Sequence, residues 1–207
     1  MMKSSGVLIV LSGPAGVGKG TICNNLIEKN ENIFLSVSAT TRAPRGAEEN
    51  GVQYFFKSKE EFENMIANDE LLEYASFCEN YYGTPKQAVM DQINKGNDVI
   101  LEIEVQGAFQ VKEKFPEAVL VFILPPSFEE LKNRLAGRRT ETAEVIEKRM
   151  KRAAVESDDI DEYDYIVIND DLDTCVEKVN SIIVSKKCLH DNNLSFIEEI
   201  KRELKAN

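Results

Sequence analysis

The chain is poor in histidine and in closely spaced cysteines, on which zinc, redox and much imidazole acid–base chemistry depends. It has one histidine in 207 residues, His190, in the C-terminal tail, where a lone histidine reads as a surface residue rather than a catalyst. The four cysteines, Cys23, Cys78, Cys175 and Cys188, are far apart, and no pair has zinc-finger or redox-motif spacing. They read as free thiols of a reducing compartment. No long hydrophobic run is present, and the N-terminal apolar stretch is too short for a signal-sequence core or a membrane span. Positive charge is also in deficit: 25 Lys and Arg against 36 Asp and Glu leave a net charge of −11. That balance argues against a general nucleic-acid surface, because phosphate backbones need a basic face. Internal repeats and low-complexity linkers are missing too. The expectation is a soluble cytoplasmic protein with no nucleic-acid and no membrane partner.

What is present begins with 43% apolar residues, enough for a real core, in a length that suits one ordinary domain with small inserted lobes. The basic residues cluster: Arg42 with Arg45, then Arg134, Arg138 and Arg139, then Lys148, Arg149, Lys151 and Arg152. Cationic clusters on an acidic chain point to small anionic ligands held at defined places. Lys148 and Lys151 read instead as a solvated helix face.

The sharpest signal is Gly13-Pro14-Ala15-Gly16-Val17-Gly18-Lys19-Gly20-Thr21. It follows an apolar run at 7–11 and opens a helical pattern through Ile22, Leu26 and Ile27. Strand, glycine-rich turn, lysine and helix are the context a phosphate-binding P-loop requires. Glycines let the backbone turn with its N–H groups inward, the helix N-terminus adds partial positive charge, and Lys19 adds a whole one. In the common P-loop the residue directly after the lysine ligates magnesium. Here that residue is Gly20, and the hydroxyl comes at Thr21. Mg²⁺ is then expected mainly on nucleotide phosphates and water, which suits an ion that keeps several waters.

Apolar strands at 7–11, 99–103, 119–124 and 165–168 alternate with helical patterns, the signature of a parallel α/β sheet covered on both faces. Shorter stretches at 34–40, 53–56 and 72–78 break that rhythm and read as an inserted mixed α/β lobe. A turn is expected at 80–83. Capping boxes are expected at Ser58/Glu61 and Ser127/Glu130, and Thr84-Pro85-Lys86-Gln87 reads as a further helix start with Thr84 as cap. A strand at 98–104 would carry Glu102 and Glu104 on one side, near its C-terminal end, where ligands of α/β sheets bind.

Beyond the P-loop, the chain carries Ser36-Val37-Ser38-Ala39-Thr40-Thr41-Arg42-Ala43-Pro44-Arg45, Asn50-Gly51 with Tyr54-Phe55-Phe56, Asn80-Tyr81-Tyr82-Gly83-Thr84, Glu102-Ile103-Glu104-Val105-Gln106-Gly107 and Asn169-Asp170-Asp171. This combination resembles the guanylate kinase family over about residues 6–185, with every motif in the family's order. The resemblance implies transfer of the γ-phosphoryl of ATP to GMP, giving ADP and GDP. It also implies a core at about 1–33, 96–133 and 158–207, a GMP-binding lobe at about 34–95 and a helical lid at about 134–157. GMP, with dGMP as a further acceptor left open, and ATP are the implied partners, and Mg²⁺ the implied cofactor. Monomer and homodimer both remain open.

Residue by residue, the resemblance assigns the GMP phosphate to Arg42, Arg45, Tyr54 and Tyr82, and the base to Ser38, Glu73 and Thr84. Two guanidinium forks can clamp a monophosphate, although an isolated Arg-x-x-Arg would read as a solvated loop. A carboxylate at Glu73 can accept guanine N1–H and N2–H₂ together, whereas adenine offers an acceptor at N1. Glu104 falls on GMP and Glu102 on Mg²⁺ through water, both being glutamate where aspartate also occurs in relatives. Arg134, Arg138 and Arg149 match the lid arginines that reach the transferring phosphoryl. Arg139 stands where glycine is common. Asn169 and Asp170 match the contact to adenine. The nucleophile would be a GMP phosphate oxygen, already largely dianionic at neutral pH, so no general base is needed. The alternatives are a non-catalytic guanylate-kinase-like domain that binds phosphopeptides, or another nucleoside monophosphate kinase.

Overall fold

The computed structural model describes residues 6–137 and 142–206. Arg138 and Arg139 lie outside the described residues. The chain runs β1 (Leu8–Ser12), α1 (Lys19–Lys29), β2 (Ile33–Leu35), β3 (Ala39–Thr40), β4 (Phe55–Phe56), α2 (Lys59–Ala67), β5 (Leu71–Phe77), β6 (Asn80–Pro85), α3 (Lys86–Asn94), β7 (Asp98–Glu102), α4 (Val105–Lys114), β8 (Val119–Leu124), α5 (Phe128–Gly137), α6 (Ala143–Glu156), β9 (Tyr165–Ile168), α7 (Leu172–Lys187) and α8 (Leu194–Ala206).

Every residue of β1 is buried, because side-chain alternation sends Leu8 and Val10 into one apolar cluster and Ile9 and Leu11 into another. Such a strand belongs in the middle of a sheet covered on both faces. The sheet is parallel, with the order β2-β7-β1-β8-β9. Ile22 and Leu26 of α1, Leu131 and Leu135 of α5 and Val176 and Val179 of α7 fill one face. Val89 and Ile93 of α3 and Val105, Ala108 and Val111 of α4 fill the other. The fold is thus the expected α/β class, with helices on both faces of a P-loop sheet.

A second, mixed sheet has the order β4-β3-β6-β5 and lies within residues 39–85. Its own buried core is small: Ala39, Phe62 and Leu71, with Tyr81 stacked on Phe62 at 5.3 Å. Full burial of Phe62 and of Leu71 contributes about 1.5–3 kcal/mol each. That is too little to hold a lobe alone, and the lobe leans on the main core through β5. The Gln110 side chain of α4 brackets the backbone of Tyr74, accepting from its N–H at 3.1 Å and donating to its C=O at 3.0 Å.

Three local expectations are corrected here. The 34–40 stretch is two strands, β2 in the main sheet and β3 in the second, because the chain crosses from one sheet to the other at 36–38. Residues 80–83 are strand, not turn. The hairpin reverses at Cys78 and Glu79, with φ of 47° and 66°, the left-handed pair that a two-residue hairpin demands. Thr84 does not cap α3: it lies in β6, and Pro85 precedes the helix without any side-chain cap. The Ser58/Glu61 capping box is reciprocal. At Ser127 only the hydroxyl half forms, since the Glu130 carboxylate turns to Arg134 instead.

Candidate active site

The loop after β1 passes close under β8. Gly13 has φ of 144°, and a Cβ there would come within 2.4 Å of the Ile123 carbonyl oxygen, so only glycine lets the loop turn at that point. Lys19 opens α1, and its ammonium folds back to donate to the carbonyls of Gly13 at 2.5 Å and Pro14 at 3.3 Å. A cavity of about 290 Å³ lies over this loop, lined by Ala15, Gly16, Gly18, Lys19, Gly20 and Thr21, together with Glu102 and Arg149. Burial pulls the Lys19 pKa down, and the carboxylates of Glu102, Glu156 and Glu104 oppose it. A cavity of this size, floored by backbone amides and a lysine, is built for phosphates.

A second cleft, of about 360 Å³, opens between the two sheets. Ser38, Tyr54, Tyr82 and Glu73 line it from the lobe, and Glu102, Glu104 and Gly107 from the core. Glu102 lines both cavities. Glu73 is only 6% exposed and accepts the Thr84 hydroxyl at 2.7 Å. Burial pushes its pKa up, the Thr84 hydrogen bond opposes the shift, and the nearby Glu104 carboxylate adds to it. The register of β5 shifts between Leu71 and Tyr74, an irregularity that falls on Glu73.

Glu73 is held against α4, where a Cβ on Gly107 would meet its Oε2 at 2.8 Å. Gly107→Ala is therefore expected to raise KM for the acceptor by about 10-fold or more, since displacements near 1 Å can cost 10²-fold. The thermal midpoint should hold or fall slightly, because the helix preference for alanine of about 1 kcal/mol is set against displacing a buried, hydrogen-bonded carboxylate. An acceptor KM unchanged in this variant would mean that α4 does not set the position of Glu73.

At the lobe end, Tyr54 and Tyr82 meet edge to face at 6.1 Å, and the Arg42 guanidinium sits 5.2 Å from the Tyr54 ring centre. Arg42 is forked onto Glu48 by two bonds of 3.0 Å and donates to the Ala43 carbonyl at 2.8 Å. Glu48 also accepts the Arg45 backbone N–H at 2.8 Å, while Arg45 itself is exposed. Sequence reasoning passed over Glu48. The signal available was a carboxylate three residues after Arg45 and six after Arg42 in the same short loop.

Behind the P-loop, the buried Asn169 side chain donates to the Val17 carbonyl at 2.8 Å. Arg134 donates to the Asn169 carbonyl at 3.0 Å and to Glu130 at 2.8 Å. Asn169 and Arg134 thus brace the loop, while Asp170 is exposed beside them. Arg149 faces the cavity over the 13–21 loop from α6. Glu102 and Glu104 are not on one strand face as expected: β7 stops at Glu102, and Glu104 is the residue that leads into α4. Both remain at the C-terminal edge of the sheet, because the chain turns there from strand into helix. Glu104 pairs with Arg152 of α6, a contact that sequence reasoning also missed.

A phosphate loop at the edge of a parallel sheet, facing a second cleft across a shared carboxylate, defines a P-loop phosphotransferase with separate donor and acceptor sites. Residues 5–186 match the family model for guanylate kinase. The chain is 54% identical over 202 residues, covering 98% of each chain, to the guanylate kinase of Caldanaerobacter subterraneus subsp. tengcongensis, and 53% identical over 209 residues, 99% of this chain and 100% of the other, to that of Clostridioides difficile. The crystal structure of guanylate kinase from Anaplasma phagocytophilum superposes with a TM-score of 0.74 at 35% identity over 96% of each chain. The chain belongs to the guanylate kinase family and is an ATP:GMP phosphotransferase.

Proposed function

We propose that ATP lies along the 13–21 loop, that GMP fills the cleft between the sheets, and that the γ-phosphoryl passes between them at Glu102. The observation that carries this reading is the shared wall: Glu102 lines both cavities, so the reacting ends of the two nucleotides meet beside it. The acceptor lobe is the second sheet and its helix, within the 34–95 limits. The lid is 134–157.

In this reading Glu73 accepts N1–H and N2–H₂ of guanine, with the Thr84 hydroxyl and Ser38 completing the base site and Glu104 at the base or ribose. Arg42, Arg45, Tyr54 and Tyr82 hold the GMP phosphate. Glu48 keeps the Arg42 fork oriented before substrate arrives. Lys19, the backbone amides of the loop, Arg134, Arg138 and Arg149 neutralise the phosphoryl in flight, and Asn169 and Asp170 serve the adenine end. GMP is largely dianionic near pH 7, so its own phosphate oxygen attacks and its own charge needs no base. What the residues supply is alignment, charge and exclusion of water.

The residues fit Mg²⁺. A Cβ on Gly20, where P-loops usually carry a ligating hydroxyl, would sit 3.5 Å from Glu102 Oε2. Glu102 would supply the hard oxygen across the cavity, through water, and Thr21 would be left for phosphate. When bound, the ion would supply charge neutralisation to the transferring phosphoryl group. A cytoplasmic setting is supported by the unpaired cysteines.

The test is ADP formation from ATP and Mg²⁺ with GMP, dGMP, AMP, CMP and UMP in parallel. GMP, alone or with dGMP, should be the acceptor. Activity with AMP or a pyrimidine nucleotide instead would overturn the base-reading role of Glu73. Transfer to none of them, by a protein that still binds GMP, would be the behaviour of a phosphopeptide-binding domain.

A further inference from the structure

We propose that Arg152 is a positioning residue that ties helix α6 to the acceptor cleft through Glu104, so that Arg149, one turn earlier, is set over the donor cavity. The inference rests on the reading of α6 as lid and of the Glu104 cleft as the GMP site.

Arg149 and Arg152 are three apart on α6, hence neighbours on its surface. Arg149 lines the donor cavity, and Arg152 reaches Glu104 on the wall of the acceptor cleft. One helix face therefore touches both substrate sites. The Arg152 guanidinium is held on its own helix, where Nε donates to Glu156 at 2.9 Å and the Glu156 side chain is 15% exposed. The fork is thus oriented before it meets Glu104, which reduces the entropy lost on pairing. The Arg152–Glu104 pair itself is half in solvent, with side chains 47% and 65% exposed. Exposed pairs are weak, and that suits a contact made and released in each turnover.

Charge supplies the second reason. The acceptor cleft is lined by the carboxylates of Glu73, Glu102 and Glu104, and a nucleoside monophosphate brings nearly two more negative charges. Arg152 neutralises Glu104 at Oε2 and leaves Oε1 for the acceptor. Lid placement and acceptor-site charge are then set by one ion pair.

The experiment is a double-mutant cycle on the full chain, using Arg152→Gln, Glu104→Gln and the pair, with Arg152→Lys as the conservative change. kcat and KM for GMP and for ATP are measured at low and high salt, with thermal midpoints alongside. Arg152→Gln should lower kcat/KM for GMP by about 3–5-fold, the upper end for a solvent-exposed ion pair. KM for ATP should move much less, and Arg152→Lys should recover part of the loss. In the Glu104→Gln background the effect of Arg152→Gln should shrink to about 2-fold or less, and high salt should shrink it in the unaltered background. Equal effects in both backgrounds, no effect in either, or a lowered thermal midpoint with both KM values moving together would overturn the proposal. Failure of the unaltered chain to phosphorylate GMP would overturn instead the reading beneath it, before any variant is compared.

Discussion

Lys19→Ala lowers the rate of ADP formation from ATP and GMP by roughly 10²–10³-fold or more, the scale seen when one preorganised charge is removed from a transition state. The fold survives the change. Lys19 belongs to none of the apolar clusters, and its ammonium is spent on the carbonyls of Gly13 and Pro14 at the floor of the donor cavity. Burial disfavours its charge, and Glu102, Glu156 and Glu104 are what favour it. In the alanine variant these carboxylates face the incoming polyphosphate with one cation fewer. Transfer through a loose, highly charged transition state depends on such cations. The thermal midpoint should be unchanged or slightly raised, since a partly desolvated charge is gone. Turnover equal to that of the unaltered chain would refute the donor-site assignment.

Glu73→Gln is expected to lower kcat/KM for GMP by about 100-fold or more while leaving KM for ATP unchanged. Sites built to hydrogen-bond a buried partner discriminate by 10⁴–10⁵ when that partner is missing, and this variant keeps part of the bonding. The amide oxygen can still accept from Thr84, which in the unaltered chain donates to Glu73 at 2.7 Å. The amide nitrogen, however, sets a donor against a donor of guanine. The same cause imposes a pH dependence. Burial raises the Glu73 pKa above the ordinary carboxyl value, and only the ionised form accepts both guanine donors. KM for GMP should therefore climb as pH falls through that titration, starting at a higher pH than an exposed glutamate would give. The ratio of the unaltered chain to Glu73→Gln removes the titration of GMP's own phosphate, which both share. Constants for GMP and ATP that both stay put would end the base-reading role.

The strand, loop and helix at 7–29 are legible in the sequence, because their signals are local. An apolar run, a glycine-rich turn and a helix start follow one another between residues 7 and 27, and each reports its own backbone preference. The same holds for the capping box at Ser58 and for the alternation of buried strands with helices. Sequence reasoning is less reliable wherever a residue's neighbour lies elsewhere in the chain. Thr84 was read as a helix cap from the Pro85 beside it, yet its hydroxyl is given to Glu73, 11 residues away across the β5–β6 pair. Residues 80–83 have the composition of a turn, although pairing with β5 holds them extended.

The motifs alone therefore give a P-loop α/β chain that resembles the guanylate kinase family and single out Lys19, Arg42 and Glu73 as candidates, since backbone propensity and motif order are carried along the chain. Folding adds what those residues contact. Burial between β5 and Gly107 sets Glu73 apart from a surface acid, with its pKa raised and its side chain on the wall of the cleft. Glu48 enters the Arg42 fork from six residues away, Asn169 braces Val17 from 152 away, and Arg152 crosses 48 residues to Glu104. Such pairs depend on how one element packs on another, and packing is decided by shape and solvent exclusion over the whole core, which no local stretch of sequence encodes.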